Sequence, residues 1–146
     1  MIALVQRVNH AAVTVNGQQI ARIGKGMLVF IGIEKGDDMS QVVSLSEKLR
    51  KFRIFPDKQG KMNDNVEQFG GEILLVPQFT LAAETKKGNR PGFDPVADPQ
   101  TANYLFDELI NYFRQKTTAG IATGIFQADM KVSLENDGPV TFWLQK

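Results

Sequence analysis

Residues 130–145 read MKVSLENDGPVTFWLQ. Two alternating apolar runs flank Asn136-Asp137-Gly138-Pro139, and the reading of that interruption decides how the last strands are counted. Pro139 has no N–H for a ladder, and Gly138 accepts backbone angles closed to other residues, so the pair is removed from any regular central strand. Taken alone, these are turn residues, and the segment predicts a hairpin between a final pair of strands.

Working outward, the N-terminal third also reads as sheet. IALVQRV and AAVTV are rich in β-formers, Asn16-Gly17 is a two-residue hairpin signal, and QQIARI follows in alternation. MLVFIGI is a continuous apolar run short enough for a buried strand, and GEILLVPQFTL repeats that pattern. Between them Val42, Leu45, Leu49 and Phe52 recur at helical spacing behind Ser40, a serine able to cap the first turn. Lys48, Arg50, Lys51 and Arg53 cluster at that helix's end, where they either touch phosphates or complement the helix dipole. Asp98-Pro99 opens a second helix with Ala102, Leu105, Phe106, Leu109, Ile110 and Phe113 on one face. Before it, AAETKKGNRPGFDPVADP is a long loop dense in Gly, Pro and charge, the kind that carries function more often than filler. The pattern predicts one compact mixed α/β domain over residues 1–146, built on a strongly curved, barrel-like sheet with two main helices.

Composition narrows the chemistry. The chain has no cysteine and one histidine, His10, so thiolate chemistry and a two-histidine metal site are excluded within one chain, and no metal is expected. A net charge of +1 does not indicate a field-driven duplex DNA footprint. The N-terminus lacks a signal peptide pattern and no apolar run approaches the ~20 residues needed to span a bilayer, so a soluble cytoplasmic protein is expected. His10 lies between two predicted strands with no evident partner, which disfavours a Ser-His-Asp type triad. Thr80 and Gln78 in PQFTL fall on one face of a predicted strand end beside the long loop. They form either a small polar site or an ordinary β-strand surface whose hydroxyl bonds nearby backbone.

PQFTL and NDGPVT in this order, with VQRV at the start, TKKGNRP between and ADMKVSL before the end, resemble the D-aminoacyl-tRNA deacylase family across essentially the whole chain. The resemblance implies a homodimer, without metal or cofactor, that hydrolyses the ester joining a D-amino acid, or glycine, to the 3′-terminal adenosine of tRNA. It implies a cis Gly138-Pro139 peptide reaching into the active site of the other subunit, its carbonyls facing the substrate's α-carbon. It assigns Gln78, Phe79 and Thr80 to the catalytic pocket, with N–H groups near Phe79 and Thr80 facing the oxyanion, and Arg7 to orienting the Gly-Pro segment. Phe126 and Met130 match the adenosine pocket or, on the plainer reading, core. The family's usual SQFTL is PQFTL here, which removes one N–H and one hydroxyl at Pro77. A threonine with no adjacent base is a poor nucleophile, so attack by water assisted by the substrate's ribose 2′-hydroxyl is favoured over attack by Thr80. The alternative from another class is a non-catalytic RNA 3′-end or nucleotide-binding module using Lys86, Lys87 and Arg90.

Overall fold

A computed structural model describes all 146 residues, Met1–Lys146. Strand β1 (Ile2–Val15) turns through Asn16 and Gly17, both at positive φ, into β2 (Gln18–Ile23), followed by β3 (Gly26–Gly32). Helix α1 (Met39–Arg50), a small ladder of β4 (Phe55–Pro56) and β5 (Met62–Asp64), and the single turn α2 (Val66–Phe69) come next. Strand β6 (Glu72–Pro77), helix α3 (Pro99–Lys116), β7 (Ile121–Thr123) and β8 (Met130–Gln145) complete the chain.

The long strand β1 organises the main sheet. Along one edge it pairs antiparallel with β3 over Ile2–Val8 and with β2 over Ala11–Val15, and along the other it pairs with β8 over nearly its whole length. Parallel strands β6 and β7 extend the sheet beyond β3. Because side chains alternate along a strand, Met27, Val29 and Ile31 of β3 share one buried face with Ile73 and Leu75 of β6, against α1 and α3. Leu28, Leu74 and Val76 point the other way, into a second core with Val8, Val13 and Ile23 inside the curved sheet. Burial on both faces is why MLVFIGI is apolar without alternation.

The cap of α1 differs from expectation. Asp38, not Ser40, is the N-cap: its Oδ1 accepts the Ser40 N–H at 2.7 Å, and Gln41 Oε1 accepts the Asp38 N–H at 2.9 Å. A carboxylate takes the role because it also complements the positive end of the helix dipole. Helix α3 starts as its sequence indicates, with Asp98 Oδ1 accepting the Gln100 and Thr101 N–H groups and Pro99 in the first turn.

The larger correction concerns residues 130–145. They form one strand, not a hairpin. Gln6 pairs with Thr141 and Val8 with Asn136, so Asp137–Val140 stand opposite the single residue Arg7. The Asn-Asp-Gly-Pro interruption is a bulge of unusual size, and pairing with β1 continues on both sides of it.

One surface network ties the two main helices. The Glu47 carboxylate accepts from Lys51, from Arg50 Nε at 3.2 Å and from the Tyr112 hydroxyl of α3 at 2.9 Å. Hydrogen bonds from Lys51, then Arg50 and Tyr112, hold its pKa down from 4.5 to about 2. A depressed carboxylate pKa contributes stability that is complete above the unfolded value and lost as pH falls through the folded one. The stability difference between wild type and Glu47→Gln in urea is therefore expected to be constant above pH 4.5 and to shrink toward pH 2; a difference that does not change across that window counts against the network.

Candidate active site

Strand β6 ends at Pro77, earlier than PQFTL suggested. The Gln78 N–H still reaches the Ile31 carbonyl at 2.7 Å, but Phe79–Ala82 then coil into a 3-10 turn. Gly32 lets that turn sit against β3, since a Cβ there would lie 2.9 Å from Leu81 Cβ and 3.3 Å from the Gln78 carbonyl. The period-two argument that put Gln78 and Thr80 on one face therefore fails. Gln78 lines a cavity, whereas Thr80 is exposed and is not part of the lining.

That cavity, of about 450 Å³, is largely apolar. Ile31 and Ile33 come from the end of β3, Pro77 to Phe79 from the turn, and Ala97, Pro99 and Ala102 from the start of α3. Phe126 closes it from the segment before β8, beside Gln127, which has a positive φ of 61°. The small side chains at 97 and 102 leave the space open. At the mouth Phe79 and Phe93 lie with ring centroids 5.2 Å apart and are 54% and 46% exposed, a pair of large apolar rings left facing outward. The sequence reading missed Phe93, Pro99 and the two alanines, because nothing in their local pattern separates them from loop and core.

The first N–H groups of a helical turn have no partner within it, and no side chain caps the turn that begins at Phe79. That of Phe79 is thus a donor at the edge of the apolar cavity, with that of Thr80 next along the turn. His10 is exposed and pairs across the ladder with Glu135, so it supplies no base to Thr80. No three His, Asp or Glu side chains converge to hold a metal ion.

The bulge of β8 is held from two sides. Arg7, whose side chain is 14% exposed, donates from Nε to the Asp137 carbonyl at 3.1 Å and from Nη1 to the Ile54 carbonyl at 2.8 Å, and forms an ion pair with the Asp137 carboxylate at 3.0 Å. The Asn136 side chain accepts the Val140 N–H at 2.7 Å and donates to the Val140 carbonyl at 3.2 Å and the Thr141 hydroxyl at 3.0 Å. Between these anchors Gly138 and Pro139, joined by a cis peptide, are exposed, and neither lines the cavity of its own chain. Gly138 has a φ of 146°, and a Cβ there would lie 2.6 Å from Val140 Cγ2. The role of Asn136 as the second anchor was not read from the sequence.

Met130 is half-buried behind the cavity: its sulfur accepts the Ile125 N–H at 3.4 Å and it packs into the core inside the sheet. Lys86, Lys87 and Arg90 are exposed on a loop closed by reciprocal hydrogen bonds between Glu84 and Gly92 at 2.8 and 2.9 Å, and none of the three is in an ion pair.

Comparison with known proteins adds a family to this geometry. The family model described as D-Tyr-tRNA(Tyr) deacylase matches residues 4–145. A D-aminoacyl-tRNA deacylase from Dichelobacter nodosus is 56% identical over 147 residues, and one from Histophilus somni 55% over 146, each match covering 99% of both chains. A solved structure of the c-Myc DNA Unwinding Element Binding Protein superposes with a TM-score of 0.96 at 37% identity, covering 100% of this chain and 99% of that one. A probable eukaryotic D-amino acid tRNA deacylase, 17% identical over 98% of this chain and 97% of its own, shares the fold with a TM-score of 0.79. With the match running through the Gly138-Pro139 bulge and the Gln78–Thr80 turn alike, the chain belongs to the D-Tyr-tRNA(Tyr) deacylase family.

Proposed function

We propose that the chain hydrolyses the ester of D-aminoacyl-tRNA as a homodimer, the Gly138-Pro139 bulge of one protomer reaching into the Gln78–Thr80 site of its partner. The observation that carries this reading is a mismatch within one chain. An anchored, exposed backbone segment has nothing to touch, while an open apolar cavity has no wall over its mouth. A second copy supplies each with the other.

Backbone carbonyls make a chiral filter that ignores side-chain identity. In the D-form the α-hydrogen and ammonium face the carbonyl wall, and in the L-form the side chain collides with it, so selection works by exclusion. Glycine has no side chain to collide and passes. The terminal adenosine takes the apolar cavity with Phe126 against it, and the Phe79 and Thr80 N–H groups receive the oxyanion of the tetrahedral intermediate. Water attacks with help from the ribose 2′-hydroxyl, which lies next to the scissile ester. The exposed Lys86, Lys87 and Arg90 meet the phosphates of the acceptor end.

Side-by-side incubation with D-tyrosyl-tRNA and L-tyrosyl-tRNA is expected to release tyrosine from the D-ester alone, and a substrate with a 2′-deoxy terminus is expected to be stable. Binding of the RNA end without release of either amino acid would favour the non-catalytic binding module. Thr80→Ala is expected to retain substantial activity; complete loss in a folded dimer would make Thr80 a chemical participant. Arg7→Ala is expected to lower kcat/KM for the D-ester on the order of a hundredfold, the scale of a roughly 1 Å misplacement of a site, and to narrow the D/L ratio. An unchanged ratio in that variant would mean that the bulge is not the filter.

A further inference from the structure

Beside the first cavity lies a second, of about 570 Å³, and Phe126 lines both. Its character is different. Exposed Ile125 and half-buried Phe126 give it an apolar surface, while Asn103, Asp107 and Asn111 stand at four-residue intervals along α3, with Arg114 one turn further. Asp107 accepts a single hydrogen bond, from Asn103 Nδ2 at 3.2 Å, and Arg114 is in no ion pair.

A solvated helix face sets opposite charges three or four residues apart, where they pair. Here they are seven apart, about 10 Å along the axis, too far to meet and with a cavity between them. The position of Arg114 in the last turn suits the helix dipole, but the dipole gives no reason for Asp107, two turns back, to keep an unused oxygen over an apolar surface.

We propose that this second cavity holds the nucleotide on the 5′ side of the terminal adenosine, a cytidine in any tRNA. The proposal rests on the deacylase reading, which puts the adenosine in the adjoining cavity. The cytosine ring lies against Ile125 and Phe126. Its N4 amino group donates to Asp107, whose carboxylate Asn103 holds from the other side, the Asn111 amide donates to O2, and Arg114 takes the phosphate. Uracil presents an acceptor at C4 in place of that amino group, so the Asp107 carboxylate rejects it.

Three minimal substrates test the assignment: D-tyrosyl-adenosine, D-tyrosyl-CpA and D-tyrosyl-UpA. The cytidine is expected to lower KM about tenfold relative to the adenosine ester and the uridine to do so little, the scale of one good base-edge contact. In Asp107→Ala and Arg114→Ala the KM ratio between adenosine and CpA esters, measured within each variant, is expected to fall toward one. Equal KM values for all three esters in the wild type would overturn the proposal. Unesterified CpA, titrated while the Asn103 and Asn111 side-chain amides are followed by NMR, answers independently of turnover. Shifts at both amides without hydrolysis of any ester would uphold the subsite and sink the deacylase reading, whereas hydrolysis with unmoved amides would do the reverse.

Discussion

Four residues of β8 stand against one residue of β1, and the Arg7 guanidinium is what gives that surplus a shape. A ladder left to itself would slip register to close such a gap, and each one-residue slip would turn every following side chain to the opposite face. Arg7 prevents this because two carbonyls and a charge converge on it: the Asp137 carbonyl on the bulge and the Ile54 carbonyl on the loop after α1 accept its hydrogen bonds, and the Asp137 carboxylate pairs with it. A guanidinium so little exposed is costly to desolvate unless its donors are used, and charge-assisted bonds to fixed carbonyls are among the stronger ones available. Lysine could not replace it, since a point charge does not present a planar fork to acceptors in different directions. Asn136 completes the hold by imitating a strand with its side chain, accepting from and donating to Val140 where no neighbouring backbone exists.

The cavity depends on the same sheet through a different edge. Its floor is the end of β3, a strand buried on both faces and paired on both edges, and rigid for that reason. The turn after β6 is pressed against that floor at Gly32, so the Phe79 and Thr80 N–H groups are placed by main chain packed on main chain. The bulge and the turn are thus both backbone features fixed by sheet pairing. The proposed chemistry, which asks for steric exclusion and hydrogen-bond donors and takes its remaining polar group from the substrate, needs no more from the protein than such positioning.

The sequence made β2, β3 and β6, both main helices and the Asn16-Gly17 turn legible because these are set by periodicity and local capping, whereas β1 reads as two strands and is one, with His10 inside it. It misled where long-range pairing overrules local preference. Asn-Asp-Gly-Pro is good turn chemistry, and only the register against β1 shows that the chain goes on in the same direction. Phe79-Thr80-Leu81 has ordinary strand composition, and it coils because β3, its template, ends at Gly32. The resemblance assigns Gln78, Phe79 and Thr80 to the catalytic pocket and Phe126 to the adenosine pocket; Gln78, Phe79 and Phe126 line one and the same cavity, and Thr80 does not. Met130, identified in the same way, sits behind it because its position in β8 turns it into the sheet's interior. Ala97 and Ala102 line the cavity by being small, and smallness at a given place is visible only once the place exists.

Pro77 shows how far the backbone sets the terms. Along a strand, alternate N–H groups point to opposite neighbours, and the Gln78 N–H points to β3, so the nitrogen of Pro77 faces the β7 side. Strand β7 stops at Thr123 opposite Leu75, and the Gly124 N–H makes the last bond to the Leu75 carbonyl at 2.8 Å. The register that sets the Ile73 N–H on the Gly120 carbonyl would set an N–H at residue 77 against the Gly124 carbonyl, just past the end of β7, so proline there costs only the last bond of that ladder, as expected for a residue tolerated at strand ends. The hydroxyl of the motif's serine is forgone with it. In its place a pyrrolidine ring adds apolar surface to the wall of a cavity already lined by Ile31, Ile33 and Phe126, which favours burial of a flat base over hydrogen bonding to its edge. On the proposed function the exchange moves the first cavity toward holding its nucleoside by shape, and leaves the reading of base edges to the polar residues along α3.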